Sequence, residues 1–363
     1  MSREIRFLNR SSRLGLIASK EAVAQSGGSL EGVPPHRRSL YVGSGDYTMV
    51  GYEFMHSPVR RAADPHFRHI DRKTLNEACL REVNPFFLLE SMHNNLFSLL
   101  SAWFDFQGPN ATLGDLSPCG AQAVQLACRA IAVDEADAAL AVGCSSWVSD
   151  ILLYELQGLG LLSGCKKGPA SFRPFDRRRD GFIPGEGGAA ILLEEAGRAR
   201  SRGATVLGSI EGCGEGIDFG GGGFGLPMKI GRRSGETAMR EAGCRPADLG
   251  FYLSHGSATV KGDRSELSAV RALLGGDATG VPVCGMKPYT GHMGAASDVV
   301  EIVLGIMGLK EGLAPATLNF ERTDKEFSEL HISGKHQAHG KRHFLAMSYG
   351  MGGQSAALVV KAP

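Results

Sequence analysis

TLGDLSPCGAQAVQLACRAIAV, residues 112–133, reads as a short strand, a sharp turn and an apolar, Ala-rich helix, with Cys119 at the turn. A thiol in the first turn of a helix feels the partial positive charge of the helix N-terminus. That charge stabilises a thiolate and makes a nucleophile available near neutral pH. The small residues Gly120 and Ala121 are expected to keep the approach to it uncrowded. The same stretch also fits a buried structural cysteine, the commoner fate of a thiol in a folded protein. The rest of the chain decides between the two.

Working outward, ADAALAVGCSS (136–146) is a small-residue strand of the kind buried on both faces of a sheet. Strand, helix, strand predicts a parallel sheet at this point. On the N-terminal side, SLYVGSG (39–45) is an apolar strand, and apolar residues at helical spacing predict one long helix over 88–102, opened by Asn84-Pro-Phe-Phe. Residues 1–38 are basic and poorly patterned, with one helical piece at 13–26 and a Gly/Pro loop. On the C-terminal side, FDRRRDGFIPGEGGAAILLEEA (175–196) reads as a polar loop running into a strand at 189–194. A strand follows within 205–230, and then a glycine run at 220–223 that lacks the Lys-Ser/Thr of a phosphate-binding loop and reads as a surface loop. The alternation then returns: helix 235–242, strand FYLSHG (251–256), helix 265–274, strand VPVCGMK (281–287), helix 294–308, and closing strands at 343–350 and 355–361. The expectation is an α/β fold of two similar halves, 1–200 and 201–363, with no low-complexity linker between them.

Bulk properties narrow the function classes. The chain has 363 residues, 43% hydrophobic and 21% charged, and a net charge of +1, so no global field draws it to nucleic acid or to a membrane surface. The eight cysteines are scattered without C-x-x-C pairs, which suggests neither a metal site nor a disulfide framework and points to a reducing cytoplasm. No apolar run approaches the roughly 18 residues of a membrane span.

Three further motifs each place polar residues at the end of an apolar strand, where ligands bind in α/β sheets. LSHGSATVKGDRSE (253–266) carries His255, Ser257 and Thr259; GMKPYTGHMGAASDVVE (285–301) carries Lys287, His292 and Glu301; MSYGMGGQS (347–355) is a Gly-rich turn carrying Met351. Each histidine alone fits a satisfied buried imidazole as well as a catalytic one.

Taken with Cys119 and the 175–196 loop, these motifs resemble those of the β-ketoacyl synthases of the thiolase superfamily, nearest to the elongating ketosynthases of type II fatty acid and polyketide assembly. The similarity runs over residues 85–360. The resemblance implies a thiolase-like layered αβαβα fold. It implies that Cys119 accepts an acyl chain from the phosphopantetheine of an acyl carrier protein, with no other cofactor bound. Backbone N–H groups of Cys119 and Met351 are implied as the oxyanion hole, His255 and His292 as donors to the enolate of a decarboxylating malonyl thioester, Lys287 as tuning His292, and Glu301 as holding the network. Ser257 and Thr259 are implied as pantetheine contacts, Phe86, Phe87 and Leu156 as acyl-pocket lining, and Lys166, Lys167 and Arg173 as a basic patch for the carrier protein. A homodimer, or a heterodimer with a ketosynthase-like subunit, is implied. Two histidines, where degradative relatives have a second cysteine and chain-initiating ones an asparagine, imply decarboxylative elongation.

The chain departs from the family pattern at Gly120-Ala121, at Met351 in place of a gating phenylalanine, at Gln354-Ser355, and in residues 1–38, where the opening strand of the fold is hard to find. Two alternatives therefore stand beside the ketosynthase reading: a non-catalytic, chain-length-factor-like partner subunit, and a Cys-dependent acyltransferase without decarboxylation.

Overall fold

Strands built from small and β-branched residues have no polar face, so they must be covered on both sides. The structure, a computed structural model, describes residues 3–45, 52–92, 94–114, 117–219 and 229–363. In chain order the elements of the first half are α1 (Arg10–Gln25), β1 (Arg38–Ser44), α2 (Tyr52–Ala62), α3 (Arg72–Glu82), α4 (Phe87–Ser91), α5 (Asn94–Phe104), β2 (Asn110–Gly114), α6 (Cys119–Ala132), β3 (Ala138–Ser146), α7 (Asp150–Gly158), β4 (Glu186–Glu194) and α8 (Ala196–Ser201). The second half has β5 (Ser209–Ile217), α9 (Arg232–Glu241), β6 (Leu249–Ser254), α10 (Val260–Leu274), β7 (Val283–Gly285), α11 (Ala295–Glu311), β8 (Leu313–Ala314), β9 (Gln337–Ala338), β10 (His343–Tyr349) and β11 (Gln354–Lys361).

One sheet has the order β2-β1-β3-β4 and the other β5-β11-β10-β6-β7. In the first, β1 runs parallel to β2 and β3 while β4 is antiparallel to β3; in the second, β6 runs parallel to β7 and β10 while β11 is antiparallel to β10 and β5. Helices α1 and α5 cover the outer face of the first sheet, α6 and α11 fill the space between the sheets, and α9 and α10 cover the second. This is an αβαβα arrangement of two similar halves. Among the described residues, the outer edge of β4 has no strand where β5 stands in the second sheet, so the opening strand that the sequence did not offer is not found in the fold either. No described helix is long and apolar enough to cross a membrane.

The central layer is thin because its helices are Ala- and Gly-rich. Ala123, Val124 and Ala127 of α6 and Val299 and Ile302 of α11 pack between the sheets. A Cβ on Gly120 would lie 2.0 Å from the Ala295 carbonyl oxygen, and one on Gly143 2.5 Å from the same atom. Gly120 is thus demanded by the backbone crossing of α6 and α11, which corrects the expectation that it serves access to the thiol. Gly120→Ala should lower the urea midpoint by an amount equivalent to about 2 kcal/mol or more, because both neighbouring atoms are backbone and cannot give way; an unchanged midpoint would refute this packing account.

Several local expectations are revised. The single helix expected over 88–102 is two, α4 and α5, parted at Met92, whose ψ of 122° leaves the helical region. The Asn95 side chain donates to the Leu89 and Phe7 carbonyls at this break, which compensates the interrupted ladder. Helix α10 begins five residues earlier than its apolar pattern suggests, because the Thr259 hydroxyl caps it by accepting from the Gly262 N–H. Strand β4 begins at Glu186 instead of 189, with Gly188 fitted against the backbone of α1. The helical piece expected at 13–26 is α1, three residues longer at its start, and it covers β3 and β4. Helices α2 and α3 were not expected. The glycine run at 220–223 lies outside the described residues.

Candidate active site

The parallel strands place several of the predicted residues at their C-terminal ends. Of the predicted residues, His255, His292, Ser257, Thr259, Leu156 and Met351 line one cleft, whereas Cys119, Lys287 and Glu301 are not among its lining. His255 follows β6, Lys287 follows β7, His292 precedes α11, and Cys119 opens α6. The Nε2 atoms of His255 and His292 lie 3.3 Å apart. Both rings are buried.

Each ring is held from several sides. The peptide N–H groups of His255 and Gly256 donate to the two carboxylate oxygens of Glu266, at 2.8 and 2.9 Å, and the Tyr349 hydroxyl donates to Glu266 at 2.9 Å. The Tyr349 ring leans on the His255 ring at 4.3 Å. Burial pushes the Glu266 carboxyl up to about 7. His292 is tied into the 175–196 loop: its N–H donates to the Ile183 carbonyl and its own carbonyl accepts from Gly185. Its ring stacks on Trp147, centroids 4.6 Å apart and planes at 19°, with Phe182 at 4.8 Å on another side. The His292 Nδ1 accepts from the Gly294 N–H, so the proton of the neutral ring is on Nε2, facing His255. The His255 Nδ1 has no partner among the described residues.

Burial is the main reason that both imidazoles lie well below the usual histidine range, and the Lys287 cation adds to it. The sequence reading assigned that tuning to Lys287 alone; desolvation is the larger cause. Lys287 Nζ is fully buried and lies 3.0 and 3.1 Å from the two oxygens of Glu301. Burial pushes the Glu301 carboxyl up, and Lys287 pulls it back.

Cys119 is fully buried at the start of α6, with its Sγ 3.9 Å from the Ser44 carbonyl. The N–H groups of Gly120 and Ala121 do not point at open space: both donate to Asp298 Oδ2, at 3.1 and 3.4 Å, and the Ser117 hydroxyl donates to Asp298 Oδ1 at 2.9 Å.

A cleft of about 520 Å³ opens here, and Ser117, Leu156, His255, Ser257, Thr259, His292 and Met351 are among its lining. The Ser257 and Thr259 hydroxyls are 2.8 Å apart. Met351 is 46% exposed on the turn at the rim. Three expected site residues fall elsewhere. Phe87 is not among the residues lining the cleft and packs against Phe54, with ring centroids 5.5 Å apart, while Phe86 packs against Phe7. Arg173 is 5% exposed and its guanidinium donates to the Ala170 carbonyl, so it turns inward and cannot present a basic patch; Lys166 and Lys167 are exposed. Trp147, Phe182, Glu266, Tyr349 and Asp298 were not singled out from sequence. Trp147 is one of only two tryptophans and directly follows β3, a signal that was available.

A buried thiol on a helix start and a pair of buried imidazoles, carried by a two-sheet αβαβα body, fit the acyl-transferring condensing class of enzymes. The family model for the N-terminal domain of β-ketoacyl synthases matches residues 1–199, and that for the C-terminal domain matches residues 227–321. The chain belongs to the β-ketoacyl synthase family, and the match begins well before residue 85, where the similarity was expected to start. It is 29% identical over 377 residues to a putative polyketide β-ketoacyl synthase 1 of Streptomyces halstedii, covering 99% of this chain and 83% of that protein. It is 30% identical over 298 residues to 3-oxoacyl-[acyl-carrier-protein] synthase 2 of Rhizobium meliloti (strain 1021), covering 79% and 69%. Its fold resembles that of a β-ketoacyl synthase from Burkholderia phymatum STM815, with a TM-score of 0.83 at 23% identity, covering 100% of this chain and 85% of that one. It also resembles the ishigamide ketosynthase/chain length factor, with a TM-score of 0.84 at 21% identity, covering 100% and 84%.

Proposed function

We propose that this chain is a β-ketoacyl–acyl carrier protein synthase that loads an acyl chain on Cys119 and condenses it with a decarboxylating malonyl thioester. The observation that carries the reading is the buried pair of neutral imidazoles with Nε2 atoms 3.3 Å apart. In the loading step the Cys119 sulfur attacks the acyl thioester carbonyl, a new C–S bond forms, and the pantetheine sulfur leaves and takes up a proton. The N–H groups of Cys119 and Met351 serve the oxyanion of this step. In the second step the malonyl carboxylate leaves as carbon dioxide, and the C–C bonding pair becomes a thioester enolate. An enolate oxygen between the two rings accepts from the His292 Nε2–H, and from His255 once that ring carries its proton on Nε2 instead of Nδ1. The enolate carbon then attacks the acyl carbonyl and Cys119 is released.

The buried Lys287–Glu301 pair holds the network behind His292, and Ser257 and Thr259 offer their paired hydroxyls to the pantetheine arm. Leu156 borders the acyl chain, and Met351, unbranched and adaptable, gates it. The division into a Cys119 half (1–200) and a two-histidine half (201–363) matches this division of labour. Lys166 and Lys167 remain as a basic patch for an acidic carrier protein. The outer edge of β2 suits pairing with a second copy or a ketosynthase-like subunit, and the scattered thiols suit a reducing cytoplasm. Retention of Cys119, both histidines, Lys287 and Glu301 favours the active enzyme over the partner-subunit reading.

The test is malonyl decarboxylation by Cys119→Ala protein across pH. Burial disfavours imidazolium, so both rings stay neutral as pH falls through 6.5. Any step in the rate near pH 7 belongs to the raised carboxyls of Glu266 and Glu301, and a profile recorded with Glu266→Gln and Glu301→Gln added should show no histidine step between pH 6 and 8. A drop with a midpoint near 6.5 would contradict the assignment of the two rings as buried neutral donors.

A further inference from the structure

We infer that Asp298 is a positioning residue that sets the proton affinity of the Cys119 thiol, by placing a buried carboxylate on the peptide N–H groups at the start of the helix that presents it. The inference rests on the reading of Cys119 as the nucleophile. The first turn of a helix leaves its N–H groups without intrahelical partners, and those groups make a helix start favourable to an anion. Helix α6 has no local cap: Pro118 precedes it, and no side chain of that residue reaches back. The donors of Gly120 and Ala121 are taken instead by Asp298 Oδ2, from α11, while Ser117 donates to the other oxygen. Asp298 is 1% exposed.

The helix end therefore already has an anion before any substrate arrives. A thiolate at Cys119, the residue that opens the same helix, is a second negative charge at that helix start, and a nearby like charge disfavours it. The surroundings do not cancel this. Lys287, which faces Asp298, is bound to Glu301 one turn along α11; burial pushes that carboxyl up to about 7, so above pH 7 the pair is neutral as a unit. His292 and His255 across the site are kept neutral by burial, and the contacts from β10 and the α6 turn are the Ser348 and Ser117 hydroxyls. Burial pushes the Asp298 carboxyl up to about 6 while Lys287 and its donors oppose, which leaves it mostly ionised at pH 7 and above. Cys119 then ionises at a higher pH than its place on a helix start alone implies, and the thiol stays protonated in the empty site.

The experiment is the rate of iodoacetamide alkylation of Cys119, mapped by peptide mass, across pH 5.5 to 9.5 for the full chain and its Asp298→Asn variant. Asparagine keeps an acceptor for the two N–H groups and turns its amide to the serine hydroxyls, so the cap survives and only the charge is lost. The labelling midpoint should fall by about one pH unit, equal to roughly tenfold faster labelling below both midpoints. Should Asp298→Asn not fold, Asp298→Ala, small and neutral beside Ala295 and Ala296, is read the same way. A midpoint that stays in place or rises overturns the inference, since a cap with a merely structural role leaves it unmoved. Absence of any Cys119 label at all pH values, with other cysteines labelled, overturns the nucleophile reading itself and this inference with it, and that pattern is distinct from coincident profiles.

Discussion

Cys119→Ala is expected to reduce acyl loading from an acyl carrier thioester by roughly 10⁴-fold or more, because the described residues lining the cleft offer no thiol in its place, and their hydroxyls are far weaker nucleophiles at neutral pH. The fold should survive. Cys119 is fully buried and alanine is smaller, so the change removes one sulfur and costs about 1 kcal/mol, far below what unfolds a chain of this size. Intact mass after incubation with acyl carrier protein reads the outcome directly: the parent chain gains the acyl mass on Cys119 and the variant does not. An acyl adduct of parental yield in the variant would transfer the role to another residue and remove the basis for the condensation reading.

His292→Ala separates the two half-reactions. Loading at Cys119 should persist, while carbon dioxide release from malonyl carrier protein should fall by roughly 10²–10³-fold, the usual cost of removing one donor to a developing oxyanion. The His292 Nε2 faces His255, and on the proposed reading the two rings are the two donors to the enolate oxygen, so the variant keeps only His255. Far-UV circular dichroism controls for the loss of stacking on Trp147. Unimpaired decarboxylation together with intact loading would favour the simple acyltransferase.

The parts of this site that were legible in the sequence are those with a local signature. Cys119 stands where a strand-turn-helix pattern changes period, and His255, Lys287 and His292 stand where apolar strands end in Gly-rich turns. These motifs sit on separate segments, yet each marks its own strand end, and the strand ends of an α/β body share one face. Phe87 and Arg173 were misplaced for the opposite reason. An aromatic at a helix start and an arginine in a charged loop look the same in sequence whether they face a ligand, a partner or the interior.

The sequence by itself determined the order of the strands and of most helices, the two-half α/β plan, and the candidate nucleophile Cys119 with its two candidate histidines, because apolar periodicity and turn residues are short-range properties. Only the tertiary structure decided what surrounds them. Asp298 meets the N–H groups of Gly120 and Ala121 across 178 and 177 residues, Trp147 stacks on His292, and Gly120 is required by a carbonyl of α11. Such contacts depend on how the central helices cross between the sheets, and no window of the chain contains both partners.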